Sequence, residues 1–194
     1  MKFLPKIPWF GLALFYSACA AAGNLTHKPL EELMEGPGAP AFSAKSSEYE
    51  IKAAFVYQFA KFIEWPSEVL QNEDFCIGVI GKDPFGQALD SLAGEIMHDK
   101  PIVIKRFRTA DEARGCQMVF IGKSEWARTA DILTRLQKAP AITIGDAAGF
   151  AERGGMIGFR VQGKKVRFDI NAQNAERAGL KISSKLLRLA RVVP

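Results

Sequence analysis

The side chains able to do chemistry are few, and their types set narrow limits. Of three cysteines, Cys19 lies near the N-terminus, while Cys76 and Cys116 each open an apolar run. Two histidines, His27 and His98, leave little for a histidine-based metal site or a Ser-His-Asp triad. Asp83, Asp146 and Asp169 fall near strand ends, where α/β proteins place acids for metals or catalysis. No base, nucleophile or metal-ligand spacing accompanies them. Asp169 alternates outward between Phe168 and Ile170 and reads as a solvated strand position, and His98 reads as a solvated loop residue. The loop 81–86 (GKDPFG) stands where phosphate loops occur. It lacks the Gly-Lys-Ser/Thr ending of a P-loop and is not G-x-G-x-x-G, so it reads as a turn with a helix cap. The Gly-rich stretch 149–155 (GFAERGG) reads as a turn leading into a hairpin.

The N-terminus sets the compartment. Lys2 and Lys6, the apolar stretch 11–16 (GLALFY) and the small-residue run 17–22 (SACAAA) form a secretory signal. The apolar stretch is too short to span a bilayer, which needs about 20 residues. Cleavage is expected between residues 20 and 22. Ser17-Ala18-Cys19 resembles the end of a lipobox, so lipidation of Cys19 is the alternative, although Tyr16 stands where a lipobox has Leu. Removal of Lys2 and Lys6 takes the formal charge from +5 to +3. With no Lys/Arg-rich run, nucleic acid is not an expected partner. Residues 23–47, with Pro37, Pro40 and paired glycines, read as a flexible linker with no more than one helical turn at 30–34, leaving a folded domain over 48–194.

Composition and pattern define that domain. Hydrophobic residues are 48% and charged residues 24%, which excludes wholesale disorder, collagen and a polytopic membrane protein. Ile51, Ala54, Phe55, Phe59, Phe62 and Ile63 share one helical face over 48–65, and Pro66 ends the helix. Runs at 75–80, 101–107, 117–121 and 141–144 read as strands, three of them apolar enough to be buried on both faces. Between them stand a helix opened by Asp83-Pro84, a short helix with a Thr109/Glu112 capping box, and a helix from Ser124 to about Gln137 with Trp126, Ala130, Leu133 and Leu136 inward. Stretches 156–161 and 166–170 flank a Gln-Gly-Lys-Lys turn as an antiparallel hairpin. Asn171 and Ser183 or Ser184 can cap two closing helices. The fold class is therefore α/β: a mixed, mostly parallel sheet with helices on both faces, ending in a β-hairpin and two helices.

That frame gives two features meaning. Cys76 and Cys116 open strands expected to be neighbours, and in an oxidising compartment a disulfide is expected. It would close a loop of about 40 residues, worth roughly 4 kcal/mol in the chain-entropy account. Two reduced, buried thiols are the alternative. The last helix places Lys185, Arg188 and Arg191 opposite Leu186, Leu189 and Val193. This is either a solvated basic face or a docking surface for an acidic partner.

The stretch 48–66 (EYEIKAAFVYQFAKFIEWP) resembles the opening helix of the YfiR-like family. FCIGVIGKDPF at 75–85, CQMVFI at 116–121, ITIG at 142–145, VRFDIN at 166–171 and AGLKISSKLLRLA at 178–190 also look like that family. The resemblance implies a periplasmic α/β protein without catalysis or cofactor. It implies a repressor that binds the periplasmic sensor domain of a membrane diguanylate cyclase and lowers cyclic di-GMP. An outer-membrane lipoprotein that sequesters it and a homodimer are further implied partners. Cys76 and Cys116 match one family cysteine pair, whereas the second pair is missing. The competing reading is a periplasmic small-ligand-binding protein that serves another membrane sensor through the loops 81–86 and 145–155.

Overall fold

The structure, a computed structural model, describes residues 28–35, 44–137 and 139–194. The stretch expected to be an export signal, with Cys19, lies outside the described residues. The chain runs α1 (Leu30–Glu35), α2 (Ala44–Lys61), β1 (Ile63–Glu64), a 3-10 turn, β2 (Phe75–Ile80), α3 (Gln87–Asp90), β3 (Ile96–Met97) and β4 (Lys100–Phe107). It continues through β5 (Met118–Ile121), a 3-10 segment (Lys123–Arg128), α4 (Thr129–Leu136), β6 (Ile142–Gly145), β7 (Ile157–Gln162) and β8 (Lys165–Ile170). It closes with α5 (Ala172–Arg177), β9 (Lys181–Ile182), α6 (Ser184–Leu189) and β10 (Arg191–Val192). Among the described residues no helix is long and apolar enough to cross a membrane.

Eight strands form one mixed sheet in the order β10-β8-β7-β6-β5-β2-β4-β3, and β1 pairs with β9 in a small second sheet. The run β7-β6-β5-β2-β4 is parallel throughout, and the β7–β8 hairpin is antiparallel. The expected α/β class holds. Strand side chains alternate between two cores, as the pleat requires. Phe75, Ile77 and Val79 face the core that holds α2, while Cys76 and Ile80 face the one that holds α4. Helices therefore cover both faces, which is why these strands are buried along their whole length.

The larger core is built from phenylalanine. Phe55 and Phe59 of α2 pack on Phe159 and Phe168 of the hairpin, with ring centroids 4.9–6.1 Å apart. Rings at such separations add about 0.5–1.5 kcal/mol per pair beyond area burial. Trp65, just past the helix, packs edge-on to Phe75 at 5.6 Å.

Several local expectations are corrected. The opening helix starts at Ala44 and stops at Lys61, because Ile63 and Glu64 leave it to pair with Ile182 and Lys181. It is not one-sided: residues 52–60 are all buried. Phe62, expected in the core, is only partly buried. The cover on the far side comes from the stretch read as linker. Leu30 and Leu33 of α1 are buried, Gln58 Nε2 donates to the Lys28 carbonyl at 2.6 Å, and Arg167 donates to the Met34 carbonyl. Asp83 does not cap α3; its Oδ1 accepts from the Phe85 amide at 2.7 Å. Glu112 makes its half of the capping box, accepting from Thr109 N, but only turns follow. Ser124 caps no helix, because its hydroxyl accepts from the Lys82 amide at 2.9 Å. In α4 the inward residues are Thr129, Ile132, Leu133 and Leu136, and Ala130 is exposed. Asn171 and Ser183 do cap α5 and α6, accepting from Asn174 N at 3.0 Å and Leu186 N at 3.3 Å.

Candidate functional site

Cys76 and Cys116 form a disulfide, with Cα atoms 4.5 Å apart. The sheet explains the approach. Gln117 N donates to Cys76 O at 3.1 Å just below the paired residues Ile77 and Met118, so both cysteines sit at the open end of β2 and β5. Fully buried Gln117 ties the same corner with its side chain, accepting from Cys76 N at 2.7 Å and donating to Val69 O at 2.8 Å. Gly78 makes room, since a Cβ there would stand 3.0 Å from the Phe107 ring and 3.3 Å from Cys116 Sγ.

The two glycine loops are filled by the protein itself. In 81–86, the Lys82 and Phe85 amides are spent on Ser124 and Asp83, and Arg106 pairs with Asp83 Oδ2 at 2.7 Å. In the second loop the Phe150 ring takes the space that a Cβ at Gly145 or Gly155 would need, at 2.4 and 2.1 Å. Both loops are turns, although the first carries no side-chain helix cap. His98 is exposed, as expected, and its Nε2 lies 3.1 Å from the Ala60 carbonyl.

The two remaining acids are both buried, which for Asp169 departs from the expected solvated position. Asp146, directly after β6, is buried beneath the N-terminal half of α2, at Tyr49 and Lys52. Lys52 Nζ lies 3.1 Å and the Tyr49 hydroxyl 2.7 Å from its Oδ2, and the better exposed Lys123 reaches it at 3.5 Å. Lys52 is itself buried and also pairs with Glu48 at 2.5 Å. Burial, reinforced by the hydrogen bond to Asp146, pushes the Tyr49 hydroxyl well above the ordinary tyrosine range, so it acts here only as a donor. Sequence reasoning singled out Asp146 but not Lys52 or Tyr49, which lie 94 and 97 residues away along the chain. Asp169 is not solvated: it is 6% exposed. Arg160 Nε donates to it at 2.8 Å, and Arg191 Nε and Nη2 at 2.9 and 2.7 Å. Burial pushes the Asp169 carboxyl up, but the hydrogen bonds from Arg191 and Arg160 outweigh it, holding its pKa below the ordinary value.

This engagement breaks up the expected basic face. Arg191 belongs to β10, not to the last helix, and is committed to Asp169 and to Glu152 at 2.7 Å. Lys185 and Arg188 remain on α6, both exposed. Lys185 pairs with Glu31 at 3.7 Å and lies 5.5 Å from the Phe62 ring centroid.

A cleft of about 440 Å³ opens between α4, α5 and the loop carrying Glu152 and Arg153, on the α4 side of the sheet's far end. It shares only residues 152–154 with the loops singled out from the sequence.

Comparison with known proteins addresses kinship. A conserved domain protein from Vibrio cholerae O1 biovar El Tor has a similar structure, with a TM-score of 0.54 at 12% identity. The alignment covers 75% of this chain and 60% of that one, so this chain spans less than two thirds of its length, and the likeness shows the fold alone. An ABC domain in complex with L-Trp from Streptococcus pneumonia aligns at a TM-score of 0.45 and 10% identity, over 61% of this chain and 55% of that one, too distant to carry an argument. No curated protein matches the chain. The family profile described as YfiR/HmsC-like matches residues 49–191, from the first core tyrosine of α2 to the arginine of β10, and the chain belongs to that family.

Proposed function

We propose that this protein is an exported regulator that binds the periplasmic sensor domain of a membrane diguanylate cyclase, restrains it, and so lowers cyclic di-GMP. The observation that carries the reading is the family match over residues 49–191, since the family is one of periplasmic regulators of diguanylate cyclase rather than of catalysts. The disulfide suits an oxidising compartment.

Lys185 and Arg188 form the proposed contact region. Exposed charges steer association more than they stabilise a fold. Arg191 leaves that region, because it holds β10 in place through Asp169 and Glu152. A homodimer and an outer-membrane lipoprotein that sequesters the repressor complete the proposal.

Binding to an immobilised periplasmic sensor domain of a cyclase from the same cell tests it. The wild type should bind with an affinity that falls as salt rises. The double variant K185E/R188E should bind more weakly while its melting midpoint stays close to that of the wild type. Absence of binding by the wild type contradicts the function, whereas full binding by the double variant removes only the contact assignment.

A further inference from the structure

We propose that the cleft between α4 and α5 binds a small organic acid, its carboxylate against Arg153 and Arg177 and its small apolar part on Leu133, Leu136 and Met156. The volume, about 440 Å³, lies within the range of small-molecule sites. Most of the cleft's lining is polar, with Thr134, Gln137, Thr143 and Gln173 beside the arginines, and its apolar part is small, which suits a small polar anion. Leu133, Leu136 and Met156 are buried and line the cleft, and Arg153 and Arg177 are the cations on its rim.

The state of those two arginines is the main observation. Elsewhere Arg106, Arg114, Arg128, Arg135, Arg160 and Arg191 each meet a carboxylate. Among the described residues, Arg153 and Arg177 meet none, and of the other arginines that meet none, Arg108, Arg167 and Arg188, no side chain lines the cleft. Each is nevertheless held in place by a neutral group. The Arg153 guanidinium stacks over the Trp126 ring at 4.3 Å, and Arg177 Nη1 donates to Asn174 Oδ1 at 3.2 Å. Stacking and a neutral acceptor orient a guanidinium without cancelling its charge, and its remaining N–H groups suit a planar oxyanion. The acid in the cleft wall, Glu152, is already matched by Arg191 at 2.7 Å. The wall itself is fixed, since Asn171 donates to the Pro194 carbonyl at 2.6 Å and accepts from Asn174 N. Two positioned, uncompensated guanidiniums above a small apolar base select a small polar anion. Lys185 and Arg188 do not line the cleft, so this site stands or falls separately from the proposed partner surface.

Calorimetric titration of the purified protein with benzoate, phenylacetate and succinate, each beside its uncharged amide, tests the assignment. At least one acid should bind, and bind about tenfold more tightly than its amide, which is the discrimination expected of a charge-assisted contact. R177Q, an exposed change, should weaken that binding about tenfold while leaving the melting midpoint of the free protein unmoved. R153Q should weaken it similarly and provides an independent check. The site assignment is overturned if no acid binds up to about 1 mM, if acid and amide bind equally, or if both variants bind as the wild type does.

Discussion

Asp146 and Asp169 are the same residue type, each 6% exposed, at the ends of the sheet's central and outer strands, yet they are supported in opposite ways. Asp146 is held beneath α2 by buried Lys52 and Tyr49, with only the longer 3.5 Å contact to Lys123 reaching it from an exposed side chain, and among the described residues its Oδ1 has no partner. Asp169 has both oxygens bonded, by arginines whose side chains are 36% and 52% exposed. The sealed pair locks the opening helix onto the sheet. The open cluster latches β10, with parallel register Arg191 to Asp169, onto the hairpin. Burial fraction alone does not separate them; the exposure of their closest partners does. A charge whose partners keep their water is inexpensive to hold, whereas a sealed one commits the fold to keeping every partner.

The largest expected effect lies on the sealed side. Phe59→Ala removes the ring between Phe159 and Phe168 and should cost about 3–5 kcal/mol in chemical denaturation. An unchanged midpoint would mean that α2 does not anchor the core. Next comes the disulfide, which ties β2 to β5 independently of either cluster. Its removal in C76S/C116S should cost about 2–5 kcal/mol, and reduction of the wild type should reproduce that loss. Equal stability of oxidised and reduced protein would contradict this.

Smaller effects distinguish the two acids by pH. Tyr49 has a raised folded pKa, so its contribution is full below the ordinary tyrosine value and is lost as pH climbs through the raised one. Tyr49→Phe should destabilise at neutral pH by about 1–3 kcal/mol, because it takes a donor from a buried carboxylate. The gap between Y49F and wild type should narrow in strong alkali. Asp169 has a depressed folded pKa, so its contribution is full above the ordinary carboxylate value and is lost as pH falls through the depressed one. Asp169→Asn should therefore cost least in acid and most near neutrality, with a small effect overall because the arginines are solvated. If both variants showed the same pH profile, the contrast between sealed and open clusters would be wrong.

Much of the fold could be read from the chain because the parallel strands are short apolar runs, each closed by a turn. FCIGVI and the sequence opening β5 needed no distant information. The errors share a physical cause, which is partners remote in sequence. The spacing in the opening helix predicts a single buried face, but its outer cover, Leu30 and Leu33, comes from beyond a Pro/Gly-rich stretch. Alternation places Asp169 outward and predicts a solvated position, whereas Arg160 and Arg191, 9 and 22 residues away, close over it. The disulfide was legible because it needed only two cysteines, a compartment and neighbouring strands. The Lys52–Tyr49–Asp146 cluster was not, since a lysine beside an apolar helical stripe ordinarily reaches water. The cleft was missed for the same reason: its cations, Arg153 and Arg177, look like solvated charges until Trp126 and Asn174 are seen to hold them.

The central claim, that this chain restrains a cyclase from outside the inner membrane, is tested most directly by intracellular cyclic di-GMP in a deletion strain. Deletion should raise the nucleotide, and the full chain should restore the low level. A version lacking residues 1–22, made in equal amount, should fail to do so. Restoration by the leaderless form as complete as by the full chain would contradict the account.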